Sequence, residues 1–159
     1  MYHPKKPRKL QVVFDCTAEF QGHSLNCNLL QGPALMNSLV GVLCRFRQEP
    51  VAFACNVEGM FHQVHINEEH RDFFCFLWWG QGDTTKEPEE YKMTVHLFGA
   101  TSSPGCTNLA LQTAANDGGN DLGEEAASFV KTNSYVDDGL KSIPTVQEAI
   151  KLIKNSTEL

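Results

Sequence analysis

No stretch of these 159 residues is apolar enough to lie across a bilayer. The longest apolar run is residues 73–79, against the roughly 20 residues a spanning helix needs, so no membrane partner is expected. The first nine residues carry Lys5, Lys6, Arg8 and Lys9 but no apolar core, so no secretory leader is expected. Positive charge is in deficit: 13 Lys and Arg face 19 Asp and Glu, a net charge of −6. A protein that lives by neutralising phosphates is usually basic, so a non-specific nucleic-acid clamp is disfavoured and any such affinity should be weak. There is no internal repeat and no low-complexity tract, and the charged fraction of 20% is near the globular average of about 25%, which argues against wholesale disorder. No C-x-x-C pair links the six cysteines at 16, 27, 44, 55, 75 and 106, which removes the zinc-ribbon spacings. Without a leader they read as free, buried thiols of a reducing compartment, cytoplasmic or nuclear.

What is present fits one domain, at roughly 100–200 residues per domain. Residues 2–9 read as an extended basic arm and 10–14 as a short strand, followed by a long loop over 16–32. Leu35, Leu39, Val42, Leu43 and Phe46 are spaced as on a helix that begins near Pro33 and closes at Pro50. Residues 51–57 and 73–79 are apolar runs of strand length, with a turn or short helix at 58–64 and a polar break over 80–90. Residues 91–96 alternate as a strand does. Helices are expected over 104–115 and, after a glycine-rich gap, 124–131. Residues 134–143 read as a hairpin with Asp138-Gly139 near its tip. Thr145 and Glu148 form a capping box for a last helix whose apolar face is Val146, Ala149, Ile150 and Ile153. Interleaved strands and helices with a late hairpin point to an α+β fold, an antiparallel sheet with helices packed on one face.

The sharpest chemical feature is Tyr135-Val136-Asp137-Asp138. Adjacent carboxylates repel each other, unless a hard cation such as Mg²⁺ turns that repulsion into affinity. Taken alone, Asp-Asp-Gly is also simply a good turn. His62, His65 and His70 share no regular element on which three ligands converge, so no zinc site is expected. Residues 155–157 form a glycosylation sequon without a secretory context. Trp78 and Trp79 could stack on bases, although neighbours on a strand face opposite sides and at least one should be core.

The order of motifs along the chain resembles the reverse transcriptases of retroelements, and most closely those of Pao/BEL-type LTR retrotransposons. The matching segments are V-V-F-D-C at 12–16, S-L-N at 24–26, L-L-Q-G-P at 29–33, L-V-G-V-L-x-R-F-R at 39–47, M-F-x-Q-V at 60–64, F-L-W-W at 76–79, H-L-F-G at 96–99, S-S-P at 102–104, Y-V-D-D at 135–138 and L-K-S at 140–142. They cover nearly the whole chain. The resemblance implies a polymerase palm over 33–159 and a partial fingers segment over 1–32, with neither thumb nor RNase H motifs in this sequence. It implies RNA-directed DNA polymerase chemistry on a primer–template and dNTPs, with two Mg²⁺ or Mn²⁺ ions. By the same resemblance, the metal ligands are Asp137, Asp138, the residue at Asn56 and the backbone carbonyl of Val57. Phe61, Phe98, Gly99, Gln11 and Lys9 would meet the nucleotide, and Tyr135 and Ser103 the primer or template. Phe61 can also be read as a core aromatic, Lys9 with Arg8 as a solvated basic arm, and Ser103 with Pro104 as a helix start.

Three positions depart from the family pattern. Asn56 stands where the family has its first catalytic Asp; an amide oxygen can ligate, but it brings no charge. Glu58 is acidic in the family too and so is not a new compensating ligand. Gln11 replaces an Arg, losing a fixed cationic fork, and Cys75 also stands where Arg is common. All three changes remove charge related to function. They imply polymerase activity that is lost or severely reduced, or else a non-enzymatic remnant that binds nucleic acid or a protein partner, or a translated fossil.

Overall fold

The computed structural model describes the backbone of residues 2–3, 6–10 and 13–157, and side chains over 13–118 and 123–156. The chain divides into two compact units, Met1–Gln31 with Phe61–Ser103 and Gly32–Met60 with Pro104–Leu159. In place of the single expected sheet, the described residues form three small antiparallel ones, two of two strands and one of three. The fold is mixed α+β.

In the first unit the basic arm forms a ribbon, with β1 (Tyr2–His3) antiparallel to β2 (Lys6–Leu10). The stretch expected to be a loop contains the short helix α1 (Leu25–Asn28), where the Ser24 side chain accepts the Cys27 N–H. A 3-10 turn over Glu68–Phe74, capped by the Asn67 side chain on the Glu69 N–H, takes the first two residues from the strand expected to start at Phe73. That strand, β4 (Cys75–Trp78), pairs with β5 (Glu89–Lys92), so that Trp78 faces Glu89. Neither Trp is core: Trp78 is exposed and Trp79 half-buried, because a two-stranded ribbon covers neither face fully. The buried centre is Cys16, Ile66, Phe74, Leu97 and Ala100, with Phe14, Leu25, Leu29 and Met93 packed around it.

In the second unit α2 (Leu39–Phe46) starts later than the periodicity from Leu35 suggests, at an N-cap on Ser38. The preceding segment is held by tertiary bonds instead: Leu35 O accepts from Gln112, and the Asn37 amide donates to Lys131 O and Ser134 O. β3 (Val51–Asn56) follows. α3 (Ser103–Leu122) runs straight through Gly118 and Gly119, where a gap was expected. The break falls instead at Gly123, whose φ of +97° suits only glycine, and α4 (Glu124–Asn133) starts there. β6 (Ser134–Tyr135), β7 (Asp138–Ile143) and α5 (Val146–Thr157) complete the unit. The sheet order is β3-β7-β6, antiparallel throughout.

Val51 and Phe53 of β3 and Ile143 of β7 pack against Ala126 and Phe129 of α4 and Ala149 and Leu152 of α5. Thr145 caps α5 as expected, accepting the Glu148 N–H. Ala149 of the expected face is buried, joined by Leu152, whereas Val146, Ile150 and Ile153 remain exposed. All six cysteines are free, yet only Cys16 is buried. The other five, expected to be buried, are exposed: Cys27, Cys44 and Cys106 on helices and Cys55 and Cys75 on strands of small sheets.

Gly139 is a strand residue and not the tip of the hairpin. A Cβ there would stand 2.7 Å from Cys55 Sγ and 2.8 Å from the Phe129 ring, closer than any ordinary carbon contact. Gly139→Ala should therefore lower the unfolding free energy by about 1–3 kcal/mol, read from urea midpoints. Adding Cys55→Ala should recover part of that loss, since the two contacts are coupled.

Candidate active site

β3 ends at Asn56 and β7 begins at Asp138, and the antiparallel register makes them direct partners. Side chains of such partners lie on the same face, with Cβ atoms about 4.5–5.5 Å apart. The Asn56 amide Nδ2 donates to Asp138 Oδ1 at 3.2 Å. One residue further, the Val57 N–H donates to the Asp137 carbonyl at 2.8 Å. The ladder thus closes at the end where the two acidic residues stand. Asp138 and Asn56 are exposed and Asp137 is half-buried.

β6 and β7 pair Tyr135 with Asp138, so only Val136 and Asp137 form the turn. Val136 has φ +55°. Two-residue hairpins ask for positive φ at this first position, and a β-branched residue resists it; such strain costs about 1–3 kcal/mol. That strain accompanies a connection short enough to keep Asp137 at the tip and Asp138 in the ladder.

Inside the same unit a cavity of about 380 Å³ reaches from Phe53, Leu111 and Phe129 to Asn56, Asp137 and Asp138. The Cys55 thiol also lines it and donates to Gly139 O at 3.7 Å. Desolvation, and to a smaller degree the Asp138 carboxylate, push that thiol above its ordinary value.

The donor set fits a hard divalent cation in part. Asp137 and Asp138 supply carboxylate oxygens, the ligands such ions take. Asn56 presents a donor to Asp138, and a donor is not a ligand. Among the described residues no three His, Cys, Asp or Glu side chains converge; a further oxygen must come from a turned Asn56 amide, a backbone carbonyl such as that of Val57, water or substrate. No protein-family model matches the chain, and no curated protein matches its sequence.

Phe61, Phe98, Gly99 and Ser103 belong to the other unit. Phe61 is 9% exposed and packs edge-on against Phe98, with ring centroids 4.5 Å apart; it is a core aromatic in this arrangement. Phe98 is half-buried, and His62 also meets its ring edge. Gly99 has φ +105°, and a Cβ there would run into the Phe14 carbonyl. Ser103 is 1% exposed, with its hydroxyl against His96 Nδ1 at 3.4 Å; it has no surface for a primer or template and instead helps set the start of α3. Gln11 lies outside the described residues. Lys9 and Arg8 lie in β2, and their side chains are outside those described.

Asn26 is the residue that sequence reasoning passed over. Its Nδ2 donates to Gly99 O at 2.9 Å and its Oδ1 accepts the Thr101 N–H at 2.8 Å. One amide thus pins both sides of the loop after Phe98, across more than 70 residues of chain, and no local spacing signals that. Asn26→Ala should destabilise the protein by about 1–3 kcal/mol and speed hydrogen exchange at the Thr101 amide more than at amides of the second unit.

Burial holds the His96 imidazole below its ordinary value of 6.5. The unfolded chain takes up a proton near 6.5 while the folded chain refuses it until lower pH. The stability associated with neutral His96 is therefore complete above pH 6.5 and is lost as pH falls toward the depressed folded value. His96→Gln should flatten that part of a stability–pH curve measured by denaturant unfolding.

Proposed function

We propose that this chain is the palm, with part of the fingers, of a reverse transcriptase of the Pao/BEL type, and that its nucleotidyl-transfer site is weakened at Asn56. The observation that supports this most is the pairing of Asn56 with Asp138 beside the Asp137 turn. It puts the one departing residue of the metal set against a carboxylate that the family resemblance assigns to the metals. Motif order had only implied that meeting.

In this reading a primer 3′ hydroxyl attacks the α-phosphorus of a dNTP, forming a phosphodiester and releasing pyrophosphate. Two divalent ions, when bound, supply the activation of that hydroxyl and the neutralisation of the triphosphate. Asp137 and Asp138 would hold such cations through their carboxylates. Asn56 adds no charge where a third carboxylate belongs. Phe61, Phe98 and Gly99 are the residues that the resemblance gives to the nucleotide, and Tyr135 the one it gives to the primer. Among the described residues no helix is long and apolar enough to cross a membrane, and the six free cysteines suit a reducing compartment.

The Asn56 bond to Asp138 also favours a second reading, a remnant that binds nucleic acid or protein without catalysis, because it quenches part of the charge that catalysis needs. Primer extension on an RNA template with Mg²⁺ separates the two. Removing one preorganised electrostatic contact commonly costs about 10²–10³ in rate. Asn56→Asp should raise extension by at least about that factor, and Gln11→Arg should help only together with it. Equal, robust extension by the unaltered chain and by Asn56→Asp would overturn the assignment of Asn56. No extension by Asn56→Asp, alone or with Gln11→Arg, would favour the remnant.

A further inference from the structure

We propose that Asn56 acts as a competitor of divalent cations at Asp138 and not as their third ligand. The inference rests on the reading of the hairpin as a metal centre and says how that centre is held back.

The argument starts from what an amide can present. Nδ2 is a donor and Oδ1 an acceptor, and next to an ionised carboxylate only the donor end is favourable. That is the observed arrangement, Nδ2 to Asp138 Oδ1 at 3.2 Å. The amide N–H lies against the carboxylate as a cation would, supplying partial positive charge. For Asn56 to serve as a ligand, its amide must turn over. Its Oδ1 would then stand close to Asp138 Oδ1, acceptor against acceptor, until a cation came between them.

The backbone gives the side chain no way to withdraw. Asn56 is fixed opposite Asp138 in the β3–β7 ladder, and the Val57 N–H to Asp137 O bond at 2.8 Å ties the next residue to the turn. Beyond Asp138 the ladder continues into the Cys55–Gly139 pair, where Gly139 sits too close to Cys55 and Phe129 to accept even a Cβ. Rotation about the Asn56 side-chain bonds is the freedom left. A cation that approaches Asp138 Oδ1 from the Asn56 side must therefore displace a charge-assisted hydrogen bond, and such bonds are stronger than neutral ones.

A true ligand and a competitor make opposite predictions for its removal. Removing a ligand weakens metal binding, and removing a competitor strengthens it. The experiment is calorimetric titration with Mn²⁺ of the unaltered chain, Asn56→Ala, Asn56→Ser, Asn56→Asp and the double variant Asp137→Asn with Asp138→Asn, each checked for folding by circular dichroism. Asn56→Ala should bind Mn²⁺ about 3–10-fold more tightly than the unaltered chain, as expected for release of an exposed hydrogen bond to a charged group. Asn56→Ser, whose single hydroxyl reaches less far than the amide, should move the same way by a smaller factor. Asn56→Asp should bind more tightly still, and the double variant should lose the binding. Equal or weaker binding by both Asn56→Ala and Asn56→Ser, with Asn56→Asp still gaining, would overturn the proposal and leave the metal reading standing. Binding by Asn56→Asp no tighter than by the double variant would overturn both.

Discussion

The second unit depends on how closely β3 and β7 approach between Cys55 and Gly139. Glycine is the only residue that fits there, with Cys55 Sγ on one side and the Phe129 ring on the other. That contact holds β7 against α4 and anchors the register of the strand pair. Because side chains alternate along a strand, a slip of one residue would turn every side chain of β7 to the other face. Asp138 would leave Asn56, and Ile143 would leave the core it shares with Ala126 and Leu152. The packing of an apolar core and the placement of a polar cluster are thus one constraint, read from the two faces of the same strands.

The polar cluster accepts unfavourable terms that a purely structural turn would avoid. Val136 takes a positive φ that β-branched residues resist, although glycine or asparagine would take it easily. Two carboxylates follow each other where a solvated turn needs none. Proteins tend to keep such conflicts at functional sites, where local preference gives way to chemistry. The Asn56 amide then partly offsets the acidic charge from within the chain. Two acidic residues thus stand at one hairpin beside an internal donor that takes up part of their field.

The first unit solves a different problem with the same economy of contacts. Its core is small, and the loop after Phe98 must turn at Gly99 under the Phe14 carbonyl. A single amide, Asn26, holds the two sides of that turn. Buried Ser103 and His96 support the chain where α3 starts. These are long-range polar bonds, and they order a loop that propensity would leave unspecified.

Local chemistry in the sequence was enough for some of this. The apolar run before Asn56, the hairpin around Asp137, the Thr145 cap and the helices over 104–115 and 124–131 all follow from patterns within a few residues, because turn chemistry, capping and periodicity act over one or two turns of chain. The tertiary structure decided what those patterns could not. It placed the hairpin tip at Val136-Asp137 and kept Gly139 in the strand, because the Phe129 ring occupies the space a side chain would need. It delayed α2 to Leu39, because Gln112, Lys131 and Ser134 bond the segment before it. It buried Ala149 of the expected stripe together with Leu152, left Val146, Ile150 and Ile153 outside, and left five cysteines exposed. It also turned the Asn56 amide, donor first, onto Asp138. Periodicity names the residues that can be buried or bonded. Which of them are depends on partners dozens of residues away, whose positions only the folded chain fixes.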